Sequence, residues 1–419
     1  MPHFSVVIAA FNAARWIVPT VQSALAQTYR SFEIIVVGDG CSDDTGGVLA
    51  AQFGASVQWR NLERNSGGQS APNNEGIRLS RGTHIAYLGH DDIWSPRHLQ
   101  QLASAIGACD PDFAVSGAVF HGPPGSCYYQ TTGIFDDPRV AETEFFPPSS
   151  LTHRRDVVDR IGLWRDPNEL RAPADCEFLL RAVEHRCTFA STRTITAHKF
   201  AAGHRYLSYR FPSDAEQRQL LERLGEKDGE SRILEEIQSA VANGAEHPAI
   251  RYFDFGRFGA GELFRRNRGN KGLEKPPPVA IDGPHWLPVE SFPAGLDWYD
   301  VEERSLVGPF RWSGPNPNAR YLVNVRLRGA ARLRIHVVAF AADDLAASLK
   351  VDIDQRDAAF VCDRTPTGGY VLALAPVVGP VDDGLVLRFR LPRCVRLPSD
   401  PGHGRVGLAL RGIEVVPVS

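Results

Sequence analysis

Phe4-Ser5-Val6-Val7-Ile8-Ala9-Ala10-Phe11-Asn12 is the stretch whose reading decides the fold. Phe4 to Ala10 is a short, continuous apolar and β-branched run, the pattern of a strand covered on both faces, as in parallel sheets sandwiched by helices. Working outward, Arg15 to Gln27 carries Trp16, Ile17, Val21, Ala24 and Leu25 at helical intervals, with Pro19 tolerable in the first turn. Phe32 to Val37 reads as a second buried strand, closed by Gly38-Asp39-Gly40. A helix is expected over Asp44 to Phe53, a strand over Val57 to Asn61, a helix over Pro72 to Leu79 and a strand over Thr83 to Leu88. Strand and helix alternating in this way predict an α/β domain with a mostly parallel central sheet.

From Asp91 to about Phe211 the pattern mixes helices at 96–107, 153–161 and 175–185 with strands near 113–119 and 188–196. Ser213 to Val241 is charged, with Leu220, Leu221, Leu224, Ile233, Leu234, Ile237 and Val241 at helical spacing, which predicts one or two amphipathic helices linking the halves, packed on the α/β core or, in the alternative, facing a membrane surface or a partner. A basic and proline-rich break follows at Arg265 to Pro278. Beyond it, short alternating runs such as Arg320–Arg328, Arg332–Phe340, Leu385–Leu391 and Arg405–Val416 predict an all-β sandwich. The expected domains are therefore 1–211, a helical linker over 212–278 and a β-sandwich over 279–419.

Composition narrows the function classes. A chain of 419 residues exceeds what one core usually supports. A formal charge of -3 gives no electrostatic footprint for nucleic acid, so no nucleic-acid partner is expected. Cys41, Cys109, Cys127, Cys176, Cys187, Cys362 and Cys394 form no CxxC pair and fit a reducing compartment. The opening residues lack the basic region of a signal peptide, and no apolar run reaches the ~20 residues of a membrane span.

Chemistry-bearing residues gather at predicted strand ends, where open α/β sheets bind ligands. Asn12 follows the first strand and Asp39 the second, so both can face one crevice, where Asp39 could accept from a pyrimidine N–H or a ribose hydroxyl. Asp91 and Asp92 follow the strand ending at Leu88, after Gly89 and His90. Two adjacent carboxylates there repel each other, and a Mg²⁺ or Mn²⁺ ion shared with phosphate oxygens would relieve the repulsion. We expect Asp91 to make the metal contact and Asp92 to turn to a ligand hydroxyl or to the next helix. Asp175 opens a predicted helix, where the end dipole would lower its pKa, so its use as a base would rest on proximity. His198 and Lys199 follow a strand and could neutralise an anionic ligand. Read singly, Asp39 is a turn residue, Asp92 and Asp175 are helix caps, and His90 is a loop residue.

Together these segments resemble the family 2 glycosyltransferases of GT-A fold, which invert the anomeric carbon. The opening strand with its aromatic-Asn ending, Ser23-Ala24-Leu25-Ala26-Gln27-Thr28-Tyr29, Gly38-Asp39-Gly40-Cys41-Ser42-Asp43-Asp44-Thr45, Asn65-Ser66-Gly67-Gly68 and Pro72-Asn73-Asn74-Glu75-Gly76 follow the family's motifs in order over about residues 4–200. The resemblance implies Asp175 as catalytic base. It implies donor contacts from Ala10, Phe11, Asn12, Asp39, Asn65, Asn74, Asp91, Asp92 and His198, and metal contacts from Asp91, His90 and His198. The sequence departs from the pattern at Gly38 and Gly89, each in place of an aspartate, and at Ala174 in place of a glutamate.

The implied activity is metal-dependent transfer of a sugar from a nucleoside diphosphate-sugar to an acceptor hydroxyl. Its implied setting is bacterial surface polysaccharide synthesis, lipopolysaccharide O-antigen or capsule, on a glycan or lipid-linked glycan acceptor. A cytoplasmic location follows, peripheral at the inner face of the cell membrane, and a homo-oligomer is compatible with it. Two other readings stand beside this one: a catalytically weak glycan-binding protein, favoured by the three departures, and a nucleotidyltransferase, disfavoured because Ala9-Ala10-Phe11-Asn12 lacks a Gly-rich basic loop. In the β-domain, Trp286, Trp298, Tyr299 and Trp312 are candidates for stacking on sugar rings or for the core.

Overall fold

The computed structural model describes residues 3–122, 129–200, 205, 208–210, 212–242, 258–273, 277–289, 298, 302, 308–314, 317–397 and 405–418. The chain divides into two compact units, Met1–Ala201 with Phe211–Arg265, and Ala202–Arg210 with Arg266–Ser419. Tyr299 and Cys127 lie outside the described residues.

The first unit begins β1 (Phe4–Ala10), α1 (Ile17–Leu25), β2 (Phe32–Gly38), α2 (Thr45–Phe53), β3 (Gln58–Asn61), α3 (Ser70–Leu79) and β4 (His84–Tyr87). Val6, Val7 and Ile8 are fully buried, as a strand covered on both faces requires. Pro19 is the third residue of α1, where a missing N–H breaks no helical hydrogen bond. The unit continues with β5 (Ile93–Trp94), α4 (His98–Cys109), β6 (Phe113–His121), β7 (Tyr129–Thr132), β8 (Leu151–Arg154), α5 (Val157–Ile161), α6 (Ala174–Glu184), β9 (Phe189–Lys199), α7 (Ala215–Gly225) and α8 (Gly229–Ala240).

The nine strands form one sheet in the order β3-β2-β1-β4-β8-β6-β9-β5, with β7 on β6. β1 runs parallel to both β2 and β4. The chain leaves β1 toward β2 and β3 on one side and returns to β4 on the other, which opens a crevice beyond the carboxyl ends of β1, β2 and β4.

The helix expected over 153–161 is shorter than the sequence pattern suggests. Leu151–Arg154 pairs antiparallel with both β4 and β6, and only Val157–Ile161 is helical. Thr152 and His153 are fully buried, so their sheet partners outweigh local helical tendency. The amphipathic stripe beyond residue 213 behaves as its spacing predicts. Leu220, Leu224, Ile233 and Ile237 are buried in one cluster with Ile93, Val119, Ile195 and Phe200 of the first unit. Among the described residues no helix is long and apolar enough to cross a membrane.

The second unit is a β-sandwich. A six-stranded sheet contains His285–Pro288, Arg311–Trp312, Ala331–Phe340, Phe360–Arg364, Tyr370–Leu374 and Leu408–Pro417. A four-stranded antiparallel sheet contains Asn318–Val323, Lys350–Ile353, Arg356–Ala358 and Leu385–Arg390. Ile335, Leu372 and Ile413 of the first sheet share a core with Val323, Leu387 and Phe389 of the second. Trp298 and Trp312 are buried at 7% and 9% exposure, so they are core residues and not surface platforms, whereas Trp286 is exposed.

Candidate active site at the strand ends

The loop after β2 is braced by two amides. Asn12 takes up left-handed backbone geometry at φ 44°, which asparagine tolerates. Its Oδ1 accepts from the Ser42 N–H at 2.8 Å and the Asp43 N–H at 3.3 Å. Asn61 bonds the same loop reciprocally, accepting from Cys41 N at 2.9 Å and donating to Cys41 O at 2.9 Å. Asn12 thus holds the loop in place, and its side-chain oxygen is already engaged. A Cβ on Gly38 would stand 2.5 Å from both Asn61 Oδ1 and the Trp59 ring, so Trp59 and Asn61 take the space of the aspartate expected there.

Asp39 is buried at the end of β2, its N–H donating to Ala10 O at 2.7 Å. Phe11 follows directly on Ala10 at the end of β1. The Asp39 carboxylate accepts from Ser66 N at 2.9 Å, Ser66 Oγ at 2.7 Å and Gly67 N at 3.0 Å. Asn65 Nδ2 donates to Asp39 O at 3.0 Å. Asp39 and Asn65 therefore clamp the 65–67 loop against β2. Gln69, a few residues on, hydrogen-bonds the side chain of Asp175, so one loop joins the two carboxylates.

The segment after β4 separates two aspartates that look equivalent in sequence. Thr20 Oγ1 donates to the carbonyls of His90 and Asp92 at 2.9 Å, and Gln217 Nε2 donates to Asp91 O at 3.0 Å. Asp91 remains partly exposed. Asp92 is fully buried and accepts from Ser149 Oγ at 2.5 Å, Lys199 Nζ at 3.0 Å and Phe200 N at 3.1 Å. It turns neither to a ligand hydroxyl nor to the following helix, because these donors surround it. Gly89 is shaped by the same group: a Cβ there would lie 2.5 Å from Asp92 Oδ2.

His198 does not enter the crevice. Successive strand residues point to opposite faces, and Lys199 reaches Asp92, so His198 faces the other side of β9. There it lies 3.1 Å from Ser95 Oγ and 3.2 Å from His121 Nε2, stacked on His121 with ring centroids 5.4 Å apart. Burial lowers its pKa to about 4, so it is a neutral core imidazole. Lys199 supplies a cation in the crevice: loss of hydration disfavours its ammonium, but Asp92, Asp91 and Asp175 outweigh this and its pKa is raised. The period-two alternation of the strand was the sequence signal that separates the two residues. No comparable signal pointed to Gln69, Ser149 or Gln217.

Asp175 lies in the first turn of α6. Its Oδ1 accepts from Cys176 N at 3.0 Å. Loss of hydration raises its pKa, opposed by that N–H, by Lys199 and by Gln69. The lowering expected from its place at a helix start is thus overcome by burial, and the carboxylate is a stronger base than an ordinary aspartate. Its helix is fixed from behind. Trp164 stacks on Phe178 with centroids 4.6 Å apart at 6°, and donates Nε1 to Tyr87 Oη at 3.0 Å. Asn74 brackets the backbone of Trp164, donating to its carbonyl at 2.8 Å and accepting from its N–H at 2.9 Å. With one hydrogen bond at each end of its amide, Asn74 positions Trp164.

Among the described residues no group of three or more His, Cys, Asp or Glu could by itself hold a metal. With Asp92 enclosed and His198 on the far face, Asp91 and His90 are left at the end of β4. His90 Nδ1 is 3.2 Å from Ala9 O, which anchors the imidazole against the end of β1. One carboxylate and one imidazole fit an ion shared with a ligand's phosphate oxygens, since Mg²⁺ keeps few protein ligands in such sites.

Residues 5–160 match the family model described as Glycosyl transferase family 2. This segment is thus similar to the family 2 glycosyltransferases. The chain is 33% identical over 109 residues to an uncharacterized glycosyltransferase of Rickettsia prowazekii, covering 26% of this chain and 33% of that protein. It is 36% identical over 115 residues to the succinoglycan biosynthesis protein ExoO of Rhizobium meliloti, covering 27% of this chain and 33% of that one. The chain thus spans about a third of the length of these relatives. Among solved structures, residues 1–349 of Staphylococcus aureus TarS in complex with UDP-GlcNAc match at 20% identity and a TM-score of 0.41, covering 58% of this chain and 73% of that one. At that score the likeness adds nothing to what the domain's own sheet order establishes.

Proposed function

We propose that the protein is an inverting glycosyltransferase that moves a sugar from a nucleoside diphosphate-sugar to an acceptor hydroxyl. The observation that carries this reading is the grouping of Asp91, Asp92 and Asp175 about the Lys199 ammonium, from chain segments far apart in sequence, at the switch point of the sheet. The nucleoside lies beyond β1 and β2, where Ala10, Phe11 and the Asp39 loop form its walls. The diphosphate reaches Asp91 and Lys199. A Mg²⁺ or Mn²⁺ ion held by Asp91 and His90 supplies further positive charge to the diphosphate when bound.

Asp175 takes the proton of the acceptor hydroxyl. The acceptor oxygen bonds the anomeric carbon from the side opposite the diphosphate, the carbon–oxygen bond to the diphosphate breaks, and its electron pair leaves with the diphosphate. Lys199, fixed by Asp92, opposes the charge that develops on the departing oxygen, which is where a preorganised cation contributes most. The setting we assign is assembly of a bacterial surface polysaccharide at the cytoplasmic face of the membrane, on a glycan or lipid-linked glycan, and the name of the Rhizobium relative is consistent with it. In this reading 1–211 is catalytic, 212–278 a helical connection and 279–419 an accessory β-sandwich.

A screen of UDP-, GDP- and dTDP-sugars for hydrolysis, with and without Mg²⁺ or Mn²⁺, identifies the donor. Asp175→Asn then abolishes transfer while calorimetry still detects donor binding. Normal turnover by that variant removes Asp175 from the role of base.

A further inference from the structure

The outer face of the six-stranded sheet in the second unit carries a surface that the transfer reaction does not use. Along His285–Pro288, Trp286 stands opposite Glu414, Glu414 stands opposite Arg334, and Arg334 stands opposite Ala373, which in turn faces Val361. Neighbouring residues of this kind sit on one face of a sheet, and their sequence neighbours Leu333, Ile335, Ile413 and Leu372 are buried in the sandwich core. The row therefore points away from the core. Five strands at the usual spacing span about 19 Å, the length of several sugar units in a chain.

Trp286 and Val361 are among the most exposed large hydrophobic residues described, at 41% and 62% exposure, and they stand at the two ends of this row. The Trp286 ring lies down on the sheet because Gly412 leaves room beneath it: a Cβ on Gly412 would be 2.5 Å from Trp286 Cζ2 and 2.8 Å from Cη2. His336 meets the ring edge-on, with centroids 5.0 Å apart at 80°. The indole is thus packed against Gly412 and His336 and is still 41% exposed.

Polar groups surround the ring. Arg334 Nη1 donates to Glu414 Oε2 at 3.1 Å, and His336 Nε2 lies 3.8 Å from the same oxygen. That His336 nitrogen is buried, and among the described residues no group lies within ordinary hydrogen-bond distance of it. The pairing register jumps between His336 opposite Gly412 and Val337 opposite Leu410, leaving Arg411 as the extra residue of a bulge, a device that re-aims a side chain at a sheet surface. Arg411 is exposed, and its charge is felt at His336.

We propose that Trp286, Arg334, His336, Arg411 and Glu414 form a binding site for a glycan chain that carries carboxylate-bearing sugars. An exposed indole stacks on the C–H face of a sugar ring, and planar guanidinium and carboxylate groups at its margin pair with hydroxyls and acid groups. Two guanidiniums against one carboxylate give the site a positive balance, which selects an acidic over a neutral sugar. The choice of a glycan rests on the proposed transferase function, since the site would hold the acceptor chain, whereas its place on the second unit does not depend on it.

The test is calorimetric titration of the full-length protein with tetragalacturonate and, separately, with β-1,4-galactotetraose. Wild type binds tetragalacturonate more tightly than galactotetraose. Trp286→Ala weakens both by at least about tenfold, Trp286→Phe keeps part of the affinity, and Arg411→Ala reduces tetragalacturonate binding alone. Unchanged thermal unfolding of each variant separates lost contacts from lost fold. Asp175→Asn binds the glycan as wild type does, so failure of the catalytic assignment is read apart from failure of this site. No binding of tetragalacturonate, equal or tighter binding of the neutral chain, or undiminished binding by Trp286→Ala overturns the proposal.

Discussion

At the scale of single residues, Asp175 and Lys199 set each other's charge. Burial raises the Asp175 pKa and Lys199 lowers it, so the raised value is what remains after partial compensation. An aspartate with a raised pKa becomes a base only as pH climbs beyond the usual carboxylate range of about 3.9. The acid limb of kcat should therefore lie above that range, and Lys199→Gln should move it higher still while lowering kcat. A pH–rate profile of the two proteins checks both, and a limb that stays put or moves to lower pH contradicts the assignment. Asp92 is a different case, because its carboxylate is fully buried and paired. Asp92→Ala removes the carboxylate that pairs with Lys199 and accepts from Phe200 N, and should cost on the order of 3 kcal/mol in urea unfolding. The residue types at this site were legible in the sequence, but their division of labour was not. Asp91 and Asp92 are identical side chains, and only the arrival of Lys199 and Ser149 from distant segments makes one a buried anchor.

At the scale of elements, two of the three departures from the family pattern, Gly38 and Gly89, have steric causes. Trp59 and Asn61 at β3 fill the space beside Gly38, and the Asp92 carboxylate fills the space beside Gly89. Gly38→Asp and Gly89→Asp restore the family's letters, yet each should lower stability by about 1–3 kcal/mol by overpacking. Thermal unfolding measures this, and Gly38→Asp should be relieved by adding Trp59→Ala, whereas Gly89→Asp should not. The elements themselves were largely readable, since the strand covered on both faces and the amphipathic stripes announce themselves by period. What escaped was Leu151–Arg154, whose pairing with β4 and β6 is decided by non-local hydrogen bonds. The placement of α6 escaped too, because it depends on Trp164 stacking on Phe178 and on the Asn74 bracket. Asn74→Ala strands the Trp164 N–H and carbonyl, so it should cost about 1–3 kcal/mol and lower kcat more than it alters donor affinity. Equal losses in kcat and donor affinity would instead return Asn74 to the donor site.

At the scale of the whole molecule, the two units have separate cores and differ in what they bury. The first unit encloses His98, His153 and His198, with pKa values lowered to about 3, about 4 and about 4 by loss of hydration. Each has hydrogen-bonding partners suited to a neutral ring: Thr196 Oγ1 for His98, Tyr87 Oη and the Arg154 carbonyl for His153, and Ser95 Oγ for His198. In the unfolded chain these imidazoles take up protons near pH 6.5, while in the folded unit they stay neutral to about pH 4. The unfolded state then binds more protons, so stability is complete above pH 6.5 and falls as pH drops toward 4. The slope is about 1.4 kcal/mol per pH unit for each histidine. In the second unit, partly exposed His336 also has a lowered pKa, through partial loss of hydration. Scanning calorimetry between pH 7 and 4 should therefore resolve two transitions, with the one belonging to the first unit falling faster. His98→Phe should flatten that fall by one proton's share, because its ring packs flat on Trp94, 4.1 Å between centroids, in a manner a phenyl group can reproduce. A first-unit transition independent of pH over this range would mean that these imidazoles are accessible to protons in the folded state.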